Sequence, residues 1–225
     1  MGLNQSYLSF IESSVRRALG EARGYRMLEL GDQVISDPDI AEATGKEYFV
    51  NRGFEHVSVD FNGLHGAIVR DLTKPEEFTD WHHSFDVLTN SGTTEHVEPF
   101  ESQYECFGIL HECIKVGGIA VHLVPDVDER DEHGAWTNHR RYYYSHSFFA
   151  LLAKECEYDL LESKVINGLR CVALRKTRAA PFMSDRVQLL ACIEERDVSD
   201  KPNRIVRKSL RRMGIGKLLR RSGLR

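Results

Sequence analysis

The chain has 225 residues, 41% apolar and 28% charged, with a formal net charge of −4. That is enough for one full core, and it excludes collagen-like and wholly disordered chains. No apolar run is long enough to cross a bilayer and no secretory leader pattern opens the chain. Five scattered cysteines without a C-x-x-C pair argue against a zinc site or a disulfide framework and make a reducing cytoplasm the default.

Leu3 to Leu19 places Tyr7, Leu8, Phe10, Ile11 and Val15 at helical spacing, with Gly20 or Gly24 as the stop. Arg26–Leu30 reads as the first strand, and Gly31 behind it allows a sharp turn and close approach to a ligand. Asp37-Pro38-Asp39 reads as the start of a helix running to about Asn51. His56–Asp60 is a second strand and Ala67–Val69 a third, closing at Arg70-Asp71-Leu72. A helix is expected from Thr73-Lys74-Pro75, then a fourth strand over Phe85–Asn90.

Glu101 to Val116 reads as a helix ended by Gly117-Gly118, and Ile119–Val124 as the fifth strand. An acidic loop, Asp126 to Asn138, follows. Ser145 caps a helix through Glu155, and Tyr158–Ile166 pairs with Leu169–Lys176 about Asn167-Gly168, a direct hairpin signal. Ser184–Arg196 is expected to be helical. Strands that alternate with helices imply a parallel sheet covered on both faces.

The pattern of strands and turns resembles class I S-adenosylmethionine-dependent methyltransferases, over roughly Arg26 to Lys176. It is carried by Leu28-Glu29-Leu30-Gly31, by Asp60, by Asn62 to Asp71-Leu72, by Phe85 through Val97, and by Lys115-Val116-Gly117-Gly118-Ile119 with Pro125. The resemblance implies an α/β, Rossmann-like, mostly parallel seven-stranded sheet with an antiparallel last strand and helices on both faces. It implies S-adenosylmethionine as cofactor and divides the chain into an N-terminal helix (1–25), the methyltransferase-like domain (26–177), a helical extension (178–200) and a basic tail (201–225). It is closest to small-molecule methyltransferases associated with cell-surface glycan or natural-product biosynthesis.

On this reading Gly31 lets main-chain amides approach the methionine part of the cofactor, and Glu29 holds its amino group. Asp60 accepts the ribose hydroxyls, Asp71 and the Leu72 N–H take the adenine, and Asn90 binds the methionine portion and faces the acceptor. His96 is the first candidate for a base, with His65, His139 and His146 as others. Trp136 and Tyr142–Tyr144 are candidates to stack on the acceptor. The implied reaction is methylation of a small molecule, a hydroxyl of a sugar or glycan precursor. The alternative is a non-catalytic module of the same fold. The family usually carries two or three spaced glycines in the first loop, whereas Asp32-Gln33-Val34 follow Gly31 here and leave less room for a close backbone approach. No metal is implied.

The charge is unevenly placed. Lys201–Arg225 holds ten Lys and Arg and no acid, while the other 200 residues carry 20 basic and 34 acidic side chains. Apolar residues are interleaved with the basic ones, a composition suited to an anionic membrane surface. With the reducing compartment read from the cysteines, the expectation is a cytoplasmic protein that can sit peripherally at the inner membrane face. The acidic body argues against nucleic acid as a partner, because a duplex would be repelled everywhere except at the tail.

Overall fold

The computed structural model describes residues 2–21, 24–128 and 141–196. Helix α1 (Gln5–Leu19) starts where the Asn4 side chain accepts the Tyr7 N–H and ends at Gly20, whose φ is +82°. Strand β1 (Arg26–Leu30) follows, then helix α2 (Gly45–Asn51) and strand β2 (Glu55–Val59). Strand β3 (Phe85–Ser91), helix α3 (Ser102–Cys113) and strand β4 (Ile114–Pro125) form the middle of the chain. Strand β5 (Tyr142–Tyr144), helix α4 (His146–Glu155), the hairpin β6 (Tyr158–Ile166) and β7 (Leu169–Lys176), helix α5 (Arg186–Leu190) and strand β8 (Ile193–Glu195) complete it.

Among the described residues the main sheet has six strands in the order β2-β1-β3-β4-β7-β6. The first four are parallel, and β7 runs antiparallel between β4 and β6. Side chains alternate along each strand. Met27, Val87, Val121 and Ala173 pack with α1 and α2 on one face, while Leu28, Leu88, Ala120 and Leu174 pack with α3, α4 and α5 on the other. A small antiparallel pair, β5 with β8, lies beside the sheet.

Four expectations are corrected. Among the described residues the sheet has six strands, not seven: of Ala67–Val69 only Ile68 pairs, in a single parallel bridge to Val59, after a 3-10 turn at Leu64–Gly66. The helix expected at Asp37 starts instead at Gly45. The Asp37 carboxylate accepts the Gln5 and Asp39 N–H groups, while Thr44 accepts the Glu47 N–H as the true cap. Gly117-Gly118 ends no helix: α3 stops at Cys113 and the two glycines form a bulge inside β4. A Cβ at Gly118 would lie 2.9 Å from the Asp86 carbonyl oxygen. Ser184–Arg196 yields only the five-residue α5 before β8.

Candidate active site

Because β1, β2 and β3 are parallel, their carboxyl ends meet at one edge of the sheet, where open α/β sheets bind ligands. A cleft of about 640 Å³ lies there, within the usual size of a small-molecule site. Gly31 after β1, Asp60 after β2, Asp71-Leu72 beyond the Ile68 bridge, and Gly92, Thr93 and His96 after β3 all line it.

Gly31 has φ +81°, and a Cβ there would meet Gln33 Nε2 at 2.5 Å and Thr93 Oγ1 at 2.6 Å. Asp60 is fixed by two main-chain bonds: its carboxylate accepts the Asp32 N–H at 2.9 Å and the Asn62 N–H at 2.8 Å. An ionised carboxylate offers about four acceptor positions, so two remain for a ligand. Asp71 Oδ1 accepts both the Thr73 N–H (2.9 Å) and the Thr73 hydroxyl (2.8 Å), with Lys74 Nζ 3.5 Å from Oδ2. Burial pushes the Asp71 pKa up, but the Thr73 bonds and Lys74 outweigh it and hold the carboxyl below its ordinary range. His96 ends a 3-10 turn (Thr94–His96) and is exposed on the cleft wall.

Two expected cofactor contacts do not reach the cleft. Strand alternation turns Glu29 toward α2, where its carboxylate is buried 3.3 Å from His56 Nε2. It lies so close to Gly45 that a Cβ on that residue would be 2.3 Å from Oε1. Burial drives the Glu29 pKa up, opposed by His56 and by the Gln33 N–H. Asn90 is fully buried: its amide donates to Thr94 Oγ1 (2.9 Å) and faces His122 Nδ1 (3.2 Å), while Oδ1 accepts the Thr94 N–H (3.3 Å). Burial pushes the His122 pKa down to about 3, so the ring is a neutral partner.

The aromatic candidates are corrected as well. Tyr142, Tyr143 and Tyr144 form β5 and are buried, and Tyr144 donates to Gln103 Oε1 at 2.7 Å inside an aromatic cluster with Phe107, Phe148 and Phe149. Trp136, His139 and the basic tail lie outside the described residues. His146 contacts Ser163, away from the cleft. His65 sits at the rim, its Nδ1 2.7 Å from Asp32 Oδ2. Among the described residues no three His, Cys, Asp or Glu side chains converge in a metal-binding group.

Sequence reasoning missed Gln33, Phe61, Arg70, Thr93 and Glu98, all of which line the cleft. Their signal was position: all but Glu98 lie within four residues of a strand end or of a glycine in a turn. Arg70 is held by Asp80 in a two-point pair (2.6 and 2.8 Å) and lies 3.9 Å over the Trp81 ring. The lining therefore carries four carboxylates, Asp32, Asp60, Asp71 and Glu98, against one guanidinium that is already paired.

No protein-family model matches the chain, and no curated protein matches it. Solved structures do match in fold. The 1,6-didemethyltoxoflavin-N1-methyltransferase of Burkholderia thailandensis, solved with 1,6-didemethyltoxoflavin and S-adenosylhomocysteine, is 16% identical with a TM-score of 0.51, covering 76% of this chain and 80% of that one. The N-methyltransferase NodS of Bradyrhizobium japonicum, solved with S-adenosylhomocysteine, is 10% identical with a TM-score of 0.53, covering 78% and 89%. An O-methyltransferase family protein from Burkholderia thailandensis is 10% identical with a TM-score of 0.52, covering 78% of this chain and 57% of that one. At these identities the likeness is one of fold.

Proposed function

From a fold shared with S-adenosylmethionine-dependent methyltransferases, we propose that this chain is such an enzyme, acting on a small acceptor: a hydroxyl of a sugar or glycan precursor. The observation that carries the reading is the shared cleft. Asp60, Asp71-Leu72, Gly31, Gly92 and His96 line one cleft, Gly31, Asp60 and Gly92 directly after the parallel strands β1, β2 and β3 and Asp71-Leu72 beyond the Ile68 bridge. Two neighbours of this fold hold S-adenosylhomocysteine, which supports the same donor here.

The residues fit that donor. Asp60 has spare acceptor positions for vicinal ribose hydroxyls, and Asp71 with Leu72 would take the adenine edge. Gly31 lets the chain turn sharply after β1 with Gln33 and Thr93 packed against it. The donor supplies a methyl group already activated on a sulfonium sulfur. The protein's tasks are then alignment and proton removal. His96, which lines the same cleft, would accept a proton from the acceptor hydroxyl. An excess of carboxylates in the lining favours a neutral acceptor over a phosphorylated one, in keeping with a sugar hydroxyl.

Calorimetry with S-adenosylmethionine and S-adenosylhomocysteine tests the first step: saturable heat supports the reading, and folded protein with no heat at millimolar ligand removes it. The second reading, a binding module without catalysis, is favoured by the side chains of Asp32 and Gln33 where the family pattern has small residues. Loss of donor binding in an otherwise folded chain would select it. The Lys201–Arg225 segment, on its composition, would hold either form against an anionic inner-membrane surface.

A further inference from the structure

We propose that residues 201–225 dock back across the cleft of their own chain, cations against its carboxylates, and that an anionic membrane surface competes for the same segment. The docking needs the cleft and its lining, and not the donor reading. Arg196 is the last of the described residues, and it is held beside the cleft wall. Its N–H donates to the Arg141 carbonyl oxygen at 2.9 Å. The Arg141 guanidinium lies 2.8 Å from Glu195 and 3.4 Å from Glu98, and Glu98 lines the cleft. Lys201 is five residues further on, and five residues span at most about 17 Å. The run of cations therefore begins within reach of the cleft.

The surface there matches the segment in two respects. Asp32, Asp60, Asp71 and Glu98 line the cleft, and its one guanidinium, Arg70, is taken by Asp80. Residues 201–225 carry ten Lys and Arg and no acid. Beside the carboxylates the sheet margin is apolar and open: Phe61, which lines the cleft, is 71% exposed, and Leu64, Ile68 and Val69 are exposed after it. Ile205, Leu210, Met213, Leu218 and Leu219 stand among the cations, so one stretch supplies both kinds of contact. The contact is one of side chains and gives the margin no further backbone bond. At physiological salt a charge is felt over only about 8 Å, so tethering beside the cleft is what selects this face of an acidic body. A short tether also gives an effective concentration of about millimolar, at which weak contacts suffice. Docked in this way the segment excludes ligands from the cleft until an anionic surface draws it off.

The test uses the full chain and a water-soluble carbodiimide, which joins a lysine amine to a carboxylate in contact with it. The expected result is a link from Lys201, Lys208 or Lys217 to Glu98 or Asp71, located by peptide mass spectrometry in the monomer band. Its yield should fall by about fivefold or more at high salt or with phosphatidylserine vesicles, and stay within about twofold with phosphatidylcholine vesicles. Arg211→Gln combined with Arg212→Gln should lower the yield of the Lys208 link while leaving every described residue in place. Links confined to carboxylates outside the cleft, links only between copies of the chain, or no links at all overturn the docking and leave the donor reading standing. A chain that links as expected but binds no S-adenosylhomocysteine, even with Lys201–Arg225 drawn off by phosphatidylserine vesicles, keeps the docking and loses the donor reading.

Discussion

Gly31 tolerates no side chain. Its φ of +81° lies where Cβ is strained, and the space beside it is filled by Gln33 and Thr93. Gly31→Ala should therefore cost at least about tenfold in S-adenosylhomocysteine affinity, since one neighbour must move. Asp60→Ala should weaken the same ligand by about tenfold to a hundredfold, with titration calorimetry as the readout for both variants. His96→Gln should leave that affinity within about twofold but lower kcat by about a hundredfold or more, as removal of a general base does. Glu29 gives a prediction of the opposite kind. Its folded-state pKa is raised, so its contribution to stability is present below the ordinary carboxylate range and is lost as pH rises through the folded value. Glu29→Gln should melt above wild type at pH 8, with the gap closing toward pH 4.5; a gap that does not change with pH would refute the buried-acid account. None of this was legible from Glu29 itself. The acid before the glycine was plain in the sequence, but which face it takes depends on strand parity against α2.

Elements read well from sequence where the signal was local. The β6–β7 hairpin formed about Asn167-Gly168 with both residues at positive φ, since few other sequences accept that turn. Ser145 capped α4, its hydroxyl accepting the Phe148 N–H. Elements failed where two local options competed. Asp37 could cap a helix or bind the neighbouring N-terminal segment, and contact with Gln5 decided it. Ala67–Val69 had the right residues for a strand but no outer strand beside it: Ile68 is 41% and Val69 61% exposed. Buried histidines give the element-scale prediction. His122 on β4 packs on Phe107 and Phe149 and has its pKa pushed down to about 3, while burial lowers that of His111 on α3 as well. Unfolding lets both rings take up protons at their ordinary values. Stability should thus be intact above about pH 6.5 and fall as pH drops, for His122 by up to about 1.4 kcal/mol per pH unit down to about 3, with His111 adding in the same direction. His122→Gln should flatten part of that acid limb in denaturant titrations, with the His111 share remaining.

On the scale of the whole molecule, charge and sheet margin matter most. The parallel order and the inserted antiparallel strand followed from alternation, hairpin and resemblance together, while the missing seventh strand could only be found in three dimensions. With its ten cations, the Lys201–Arg225 segment should carry the full chain onto phosphatidylserine vesicles and not onto neutral ones. Sedimentation of the chain with vesicles should fall as salt rises and vanish on deletion of 201–225; binding that survives the deletion would assign the surface elsewhere. The lone Ile68 bridge has its own consequence. Between Asp60 and Leu72, both at the cleft, the strip is tied to β2 only through Ile68 N–H to Ser58 (2.8 Å) and Asp60 N–H to Ile68 (3.2 Å). A molecule gripped by Asp60 at one end and Asp71 at the other acts as a clasp for a margin the backbone barely fastens. Amide hydrogens of Ala67 to Leu72 should exchange early with deuterium in the free protein and be sheltered once S-adenosylhomocysteine is added, so that this rim borrows its firmness from what it carries.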